Sequence, residues 1–133
     1  MQCEPIGTVH TPFETPSDAP SQGFRGDAEG VVQIDEAYVA GLSGFDAPSV
    51  VVVWWADRAD RSVLTLDRDP SRGVFTSRSP ARPNPVCITE CDVLAVTDRT
   101  LSVRGVDMAD GSTVIDLKSS VHDRRADRDR RDR

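Results

Sequence analysis

Residues 50–56, VVVVWWA, are the longest apolar run in the chain, and its length limits the element that it can form. A membrane-spanning helix needs about 20 apolar residues, so this run of seven fits a buried strand instead. Shorter apolar runs precede and follow it, separated by Gly, Pro, Asp and Ser. This spacing predicts a mainly β protein, a single small β-barrel with short helical turns. No glycine-rich nucleotide-binding motif is present, so a Rossmann fold is not expected.

The predicted elements follow from these runs and from the turn residues between them. A long Pro- and Gly-rich loop covers residues 11–30, residues 35–41 are predicted to form one or two helical turns, and residues 97–99 and 109–111 are tight-turn candidates, the second a strong hairpin signal. The predicted strands are residues 6–10, 31–34, 49–56, 62–66, 73–75, 86–96, 100–106 and 112–117.

Charge divides the chain into two parts. Residues 123–133 contain six Arg and four Asp, a net charge of +2, whereas the whole chain carries −6 and residues 1–122 therefore −8. We expect residues 1–122 to form the barrel and residues 123–133 to be a disordered Arg/Asp tail, solvated or in contact with RNA phosphates. The N-terminus lacks an apolar segment, so the sequence predicts a cytoplasmic protein without a membrane partner. An RNA partner would be held by local contacts, because the barrel itself is acidic.

The three cysteines, Cys3, Cys87 and Cys91, do not indicate a disulfide framework in a chain without a signal peptide. Cys87 and Cys91 are predicted to lie on one face of a strand, because they are four residues apart. With Cys3 and His10 they could form a four-ligand zinc site, but free cysteines are mostly small buried apolar residues, and we predict no metal.

The segment SRSPARPNP, residues 77–85, is the most unusual stretch of the chain. Its prolines restrict the backbone, so Arg78, Arg82 and Asn84 are presented with little entropy left to lose on binding. Guanidinium groups bind carboxylates and phosphates, and the amide of Asn84 can donate and accept. The segment favours a small anionic or zwitterionic ligand. Two other interpretations stay open: a stiff connection with solvent-facing arginines, and a PxxP peptide ligand.

Two further segments carry candidate binding residues. Asp107 is predicted beside a turn at the end of a strand, where a carboxylate and turn amides could face a ligand together, although Asp110 with Gly111 needs no more than a hairpin turn. In the long loop, Gln22 offers an amide and Gly23 allows close backbone approach. The segment with Asp107 and Asp110 does not have the spacing of a calcium loop.

Four blocks of this sequence resemble the TrmO family (the YaeB/TsaA group) of S-adenosylmethionine-dependent tRNA methyltransferases. The blocks are IGTVHTPF, GLSGF, GVFTSRSPARPNPV and GVDMADGSTVIDLK, and they occur in the family's order between about residues 5 and 118. The resemblance implies a small β-barrel, a homodimer, S-adenosylmethionine as cofactor and tRNA as partner. It also implies methyl transfer to N6 of the threonylcarbamoyladenosine beside the anticodon (t6A37).

The resemblance also implies roles for individual residues. Asp110 and Asn84 are the catalytic candidates, and Arg82 and Lys118 are expected to bind the substrate. The residues expected to bind the cofactor are Gln22, Gly23, Arg78, Asp107, Met108, Ala109 and Asp110.

The chain departs from the family pattern at several places. Cys87 replaces a glycine, Trp55 and Ala56 stand where a His-Gln pair is usual, and DLKSSVH replaces an ending with Pro-Tyr-x-Pro. These departures concern the half of the motif expected to face RNA. A non-catalytic barrel that binds S-adenosylmethionine or RNA is therefore the alternative function, and a purely structural barrel is a third.

Overall fold

Six antiparallel strands close into one barrel in the computed structural model, which describes residues 1–19 and 26–120. Around the barrel the order is β1-β2-β5-β4-β3-β6, and β6 pairs with β1 to close it. The strands are β1 Gly7–His10, β2 Glu29–Ile34, β3 Ser49–Trp55, β4 Val86–Val96, β5 Thr100–Arg104 and β6 Ser112–Ser120. This architecture confirms the predicted mainly β barrel with short helical turns. The tail, residues 123–133, lies outside the described residues.

The barrel interior is filled by alternate residues of these strands, as a period of two requires. Val50 and Val52 of β3 are fully buried, and Leu101 and Val103 of β5 belong to the same core cluster. The cluster comprises Val9, Val32, Ile34, Leu42, Val50, Val52, Cys91, Leu101, Val103, Val106, Met108 and Val114. The run 50–56 thus supplies a central strand, flanked by β4 and β6.

Short helical segments in the described ranges are of the 3₁₀ type. Glu36–Leu42 follows Asp35 and confirms the helical turns predicted there, and Pro16–Asp18 forms one turn in the β1–β2 loop. None of the helices in the described ranges has the length and apolar character needed to cross a membrane.

The connection between β3 and β4, residues 56–85, differs from the prediction. Residues 62–66 and 73–75 were predicted as strands, but they share only one isolated bridge, Thr65 to Gly73, and Val74–Thr76 is a 3₁₀ turn. Aspartates direct the chain into turns instead, since Asp60 accepts hydrogen bonds from the amide and hydroxyl of Ser62.

The turn candidates had different outcomes. Residues 97–99 join the paired strands β4 and β5, which confirms a tight turn. The hairpin predicted at 109–111 is wrong, because β5 and β6 are not neighbours in the barrel. The connection between them, residues 105–111, passes β1, where the amide of Gly111 donates to the carbonyl of Val9 at 2.9 Å. Gly111 has a φ of 84°, so a turn is present, but it does not return the chain to the previous strand.

Candidate functional site

A cleft of about 790 Å³ lies between one end of the barrel and the β3–β4 connection. The barrel supplies an apolar part with Trp54, Val86 and Ile88, and the connection supplies a basic part. The lining residues are Pro16, Ser17, Ala19, Trp54, Ala56, Arg58, Arg68, Arg78, Ser79, Pro80, Arg82, Val86, Cys87, Ile88, Asp107, Met108, Ala109 and Ser112. A cleft of this size and mixed lining is suited to a nucleotide-sized ligand.

Arg82 stabilises the β3–β4 connection through hydrogen bonds to the backbone of that same connection. Its guanidinium donates to the carbonyl of Val74 at 2.9 Å and to the carbonyl of Ser77 at 3.1 Å, and it lies 6.0 Å from the centroid of the Phe75 ring. The backbone of Arg82 also bridges to Ala59. With two of its donor groups committed to carbonyls, Arg82 shapes the cleft wall that it lines.

Arg78 has a different environment although it lies only four residues earlier. It is exposed on the cleft, and no hydrogen bond within the described part of the chain holds its guanidinium. A fork of donors presented in this way can bind a carboxylate or phosphate bidentately. Of the two arginines singled out by the sequence, Arg78 is the one arranged to bind an anion.

Asp107 is the carboxylate of the described cleft lining, and it shares the cleft with Arg78. The hydroxyl of Thr89 donates to Oδ1 of Asp107, and the indole Nε1 of Trp54 donates to Thr89 at 3.0 Å. Thr89 is buried with 3% of its surface exposed, so it supports Asp107 from below the cleft. Met108 and Ala109 follow Asp107 in the lining, and their role in binding the cofactor stays a prediction.

Cys87 lies in the cleft where the family pattern has glycine. Burial, reinforced by the nearby carboxylate of Asp107, raises the pKa of its thiol from 9.0 to about 11, although Arg82 and Arg78 act in the opposite direction. The thiol is therefore protonated near neutral pH and adds a small, mainly apolar surface.

Asp110 does not appear in the described cleft lining. Its Oδ1 accepts a hydrogen bond from the amide of Thr11 at 3.0 Å and lies 3.4 Å from Nδ1 of His10, while its own amide donates to the carbonyl of Phe13. These contacts tie the β5–β6 connection to the end of β1. The structure thus brings Asp107, and not Asp110, into the cleft with Arg78.

The remaining predicted residues either are not in the described cleft lining or lie outside the described residues. Asn84 is exposed between two prolines and is not in the described lining, and Lys118 pairs with Asp116 on β6 at 3.1 Å. Gln22 and Gly23 belong to residues 20–25, outside the described residues. The roles assigned to these residues, and to Asp110, stay predictions.

Sequence reasoning missed several residues that the structure adds to the site. Arg58 and Arg68 join the two predicted arginines, so four arginines and one aspartate line a cleft in a chain with a net charge of −6. The excess of Arg over Lys was a signal for anion binding, but the placement of these side chains depends on the path of the connection. Trp54 and Thr89 gave no signal, because each fits the pattern of an ordinary strand residue.

The described residues contain no group of three or more His, Cys, Asp or Glu side chains placed to hold a metal ion. Cys87 and Cys91 do share β4 with the spacing expected of one face.

Comparison with known proteins identifies the relatives of this chain. The family model for the tRNA-methyltransferase O N-terminal domain matches residues 8–126. A probable S-adenosyl-L-methionine-binding protein of Halobacterium salinarum is 56% identical over 124 residues, 91% of this chain and 99% of the relative. An S-adenosyl-L-methionine-binding protein of Archaeoglobus fulgidus is 41% identical over 122 residues, 89% of this chain and 88% of the relative.

Two more distant matches extend these findings. A mouse tRNA (adenine(37)-N6)-methyltransferase is 41% identical over 51 residues, 38% of this chain and 12% of the relative. A crystal structure of TrmO superposes with a TM-score of 0.77 at 23% identity over 91% of this chain, which shows a common fold. This chain spans 57% of the length of that solved protein.

Proposed function

Because the chain belongs to the tRNA-methyltransferase O N-terminal domain family, we propose that it is an S-adenosylmethionine-dependent tRNA methyltransferase. The observation that carries the proposal is the presence of Arg78 and Asp107 in one cleft of about 790 Å³. The Archaeoglobus fulgidus relative is named an S-adenosyl-L-methionine-binding protein and the Halobacterium salinarum relative a probable one, and these names support the same cofactor for this chain.

The residues of the cleft fit the cofactor by charge and by polarity. S-adenosylmethionine carries a carboxylate, two positive charges and an adenosine, and when bound it supplies an electrophilic methyl group. We assign Arg78 to the carboxylate, Asp107 to a positive group, and the apolar surface of Trp54 and Ile88 to the adenosine or the methionine chain. Gln22 and Gly23 remain proposed contacts from the β1–β2 loop.

The contribution of the protein to catalysis is mainly positional. An exocyclic adenine amine is a weak nucleophile, so alignment of the two reactants supplies up to about 7–11 kcal/mol of the rate enhancement. The cleft walls provide this alignment, because Arg82 fixes the connection through the carbonyls of Val74 and Ser77. Asp110 and Asn84 remain the proposed acid–base and substrate-orienting groups, and both would act from outside the described lining.

The proposed substrate is N6 of threonylcarbamoyladenosine beside the anticodon of tRNA. The name of the mouse relative, which refers to an adenine at position 37, supports this choice. Arg58 and Arg68 extend the basic lining beyond Arg78, where they can meet RNA phosphates by local contact although the chain as a whole is acidic. Lys118 remains a proposed RNA contact.

A second candidate function is a barrel that binds S-adenosylmethionine or RNA without transferring a methyl group. One observation favours it: the Pro-Tyr-x-Pro ending of the family pattern is absent.

Incubation of the protein with unmodified and t6A-containing tRNA and labelled S-adenosylmethionine, followed by mass spectrometry of the nucleosides, tests both functions. We expect label on threonylcarbamoyladenosine. Label on a different nucleoside would refute the proposed substrate, and cofactor binding without any labelled nucleoside would support the non-catalytic alternative. If the folded protein does not bind S-adenosylmethionine, the methyltransferase and the non-catalytic S-adenosylmethionine-binding barrel are both refuted.

The proposal also includes a cytoplasmic homodimer. In the described part of the chain, residues 86–90 of β4 pair with β3, and β5 pairs with β4 from Asp92 onward, so the proposed contact with a second chain is this stretch of β4. Val86 and Ile88 on the same stretch are 44% and 47% exposed. Light scattering coupled to gel filtration measures the oligomeric state, and a monomer at micromolar concentration would contradict the dimer.

A further inference from the structure

A buried hydroxyl connects two residues that line the cleft. Trp54 on β3 donates from its indole Nε1 to Oγ1 of Thr89 on β4 at 3.0 Å, and Thr89 donates to Oδ1 of Asp107 on the β5–β6 connection. Trp54 and Asp107 line the cleft, whereas Thr89 has 3% of its surface exposed. Three separate segments of the barrel are therefore joined beneath the candidate site.

The chemistry of the three groups determines the direction of this chain of hydrogen bonds. An indole N–H can only donate, so the oxygen of Thr89 must accept from Trp54. A threonine hydroxyl has one hydrogen, and the geometry directs it to Asp107, which must accept at Oδ1.

We propose that Thr89 is a positioning residue that holds Asp107 as an oriented acceptor facing the cleft, and that Trp54 fixes the direction of the Thr89 hydroxyl. The proposal rests on the proposed function for the identity of the ligand, a cation such as S-adenosylmethionine. The hydrogen-bonded chain itself does not depend on that function.

Ligand-free NMR tests the hydrogen-bonded chain. The protein has two tryptophans, and each contributes one indole N–H signal, assigned with Trp55→Phe. We expect the Trp54 signal to move in Thr89→Val and also in Asp107→Asn, which acts on Trp54 through Thr89. The matched control is Thr8→Val on β1, a strand that pairs with β2 and β6, and it should leave the Trp54 signal in place. A Trp54 signal that is unchanged in Thr89→Val would refute the chain.

Calorimetric titration with S-adenosylmethionine tests the positioning role. Thr89→Val should weaken binding about tenfold, and Thr89→Ser, which keeps the hydroxyl, should bind within about threefold of the unmodified protein. In an Asp107→Asn background the Thr89→Val change should have no further effect, because the hydroxyl acts through that carboxylate. Affinity unchanged in Thr89→Val, or a loss that persists in the Asp107→Asn background, would overturn the positioning role.

The two measurements separate this inference from the proposed function. If the unmodified protein binds no S-adenosylmethionine while the NMR signals move as expected, the proposed cofactor is wrong and the oriented carboxylate is retained for another ligand. If the cofactor binds and the NMR signals do not move, the function stands and the role of Thr89 falls. Should Thr89→Val not fold, Thr89→Ala removes the same hydroxyl and provides the same comparison.

Discussion

The barrel and the β3–β4 connection keep their shapes by different interactions, although they face each other across one cleft. The barrel contains fully buried side chains such as Leu101 and Val103, held by continuous strand pairing. In the connection, residues 56–85, side chains support the backbone: Arg82 donates to two carbonyls, and Asp60 and Asp69 accept from the amides two residues later. Apolar burial dominates in the barrel, whereas in the connection polar side-chain contacts act alongside the buried side chains of Leu66 and Val74.

This difference matters for the site, because a cleft between the two regions has one wall set by packing and one set by a few hydrogen bonds. Changes in the barrel should act on the stability of the whole chain. Changes in the connection should alter the cleft before they unfold the barrel. Local unfolding of residues 56–85 breaks fewer contacts than unfolding of the whole chain. The following experiments test that division.

Leu101→Ala should have the largest effect. It removes a fully buried side chain from the core and should lower the free energy of unfolding by about 2–5 kcal/mol in urea titrations. The matched control is Leu94→Ala at a position 41% exposed, where we expect a much smaller loss. Equal losses for the two leucines would show that the barrel interior is not the main source of stability.

Arg82→Lys should come next. Lysine cannot donate to the carbonyls of Val74 and Ser77 with the fork of arginine, so stability should fall by about 1–3 kcal/mol. Hydrogen exchange followed by mass spectrometry should show faster exchange in residues 56–85 and unchanged exchange in β5. Arg72→Lys, on an exposed side chain of the same connection, is the control. Uniformly faster exchange across the barrel would contradict the division between the regions.

Asp107→Asn and Asp110→Asn separate the two aspartates of the β5–β6 connection. Asp107→Asn should weaken S-adenosylmethionine binding about tenfold, a loss of about 1.4 kcal/mol, because a charge facing the cleft is removed. Asp110→Asn keeps an oxygen that can accept from Thr11 and should change affinity less than about twofold. Calorimetric titration of both folded variants with S-adenosylmethionine measures the two affinities and distinguishes the roles of the two aspartates. Weaker binding in Asp110→Asn alone would instead support the role that the family resemblance assigns to Asp110.

The thiol of Cys87 should give the smallest effect, on a rate rather than on the fold. Because its pKa is raised to about 11, less thiolate is present at about pH 8 than in the unfolded chain. Alkylation of Cys87 should be about tenfold slower in the native protein than in urea, after the greater intrinsic reactivity of a more basic thiolate is included. Peptide mass spectrometry measures each cysteine separately, and equal rates in both states would contradict the raised pKa.

The same pKa shift has a defined sign for stability. Between pH 9 and about 11 the unfolded thiol loses its proton before the native one, so the native state becomes less stable as pH rises through this window. Unfolding titrations of Cys87→Ala should lack this part of the pH dependence. If the free energy of unfolding of Cys87→Ala falls with the same slope between pH 9 and about 11, other titratable groups cause the loss of stability.

The strands were predictable from the sequence because each carries its own alternating or continuous apolar pattern. Residues 86–96 and the turn at 97–99 are examples: the pattern and the turn chemistry agree, and β4 spans the predicted residues. Residues 62–66 failed as a predicted strand because a short apolar run also fits a turn-rich connection in which Leu66 is buried.

The candidate site was predictable in part for a related reason. The prolines of residues 77–85 restrict the local backbone, so a rigid, Arg-bearing segment could be inferred without knowing its neighbours. The separate roles of Arg78 and Arg82 could not, since the acceptors of Arg82 are backbone carbonyls that any residue type supplies. A hairpin at 109–111 was equally plausible, because local turn preferences do not specify which strand comes next in a barrel.

By itself, the sequence determined the class of fold, the family and two segments that line the cleft, those with Arg78 and with Asp107, because periodicity, turn residues and the SRSPARPNP segment are local properties. Only the tertiary structure decided that Asp107 shares the cleft with Arg78 while Asp110 caps the end of β1, and that Thr89 supports the former. The physical reason is that the direction of a carboxylate in a loop is set by the donors brought beside it, and those donors come from residues 18 and 99 positions away in the chain.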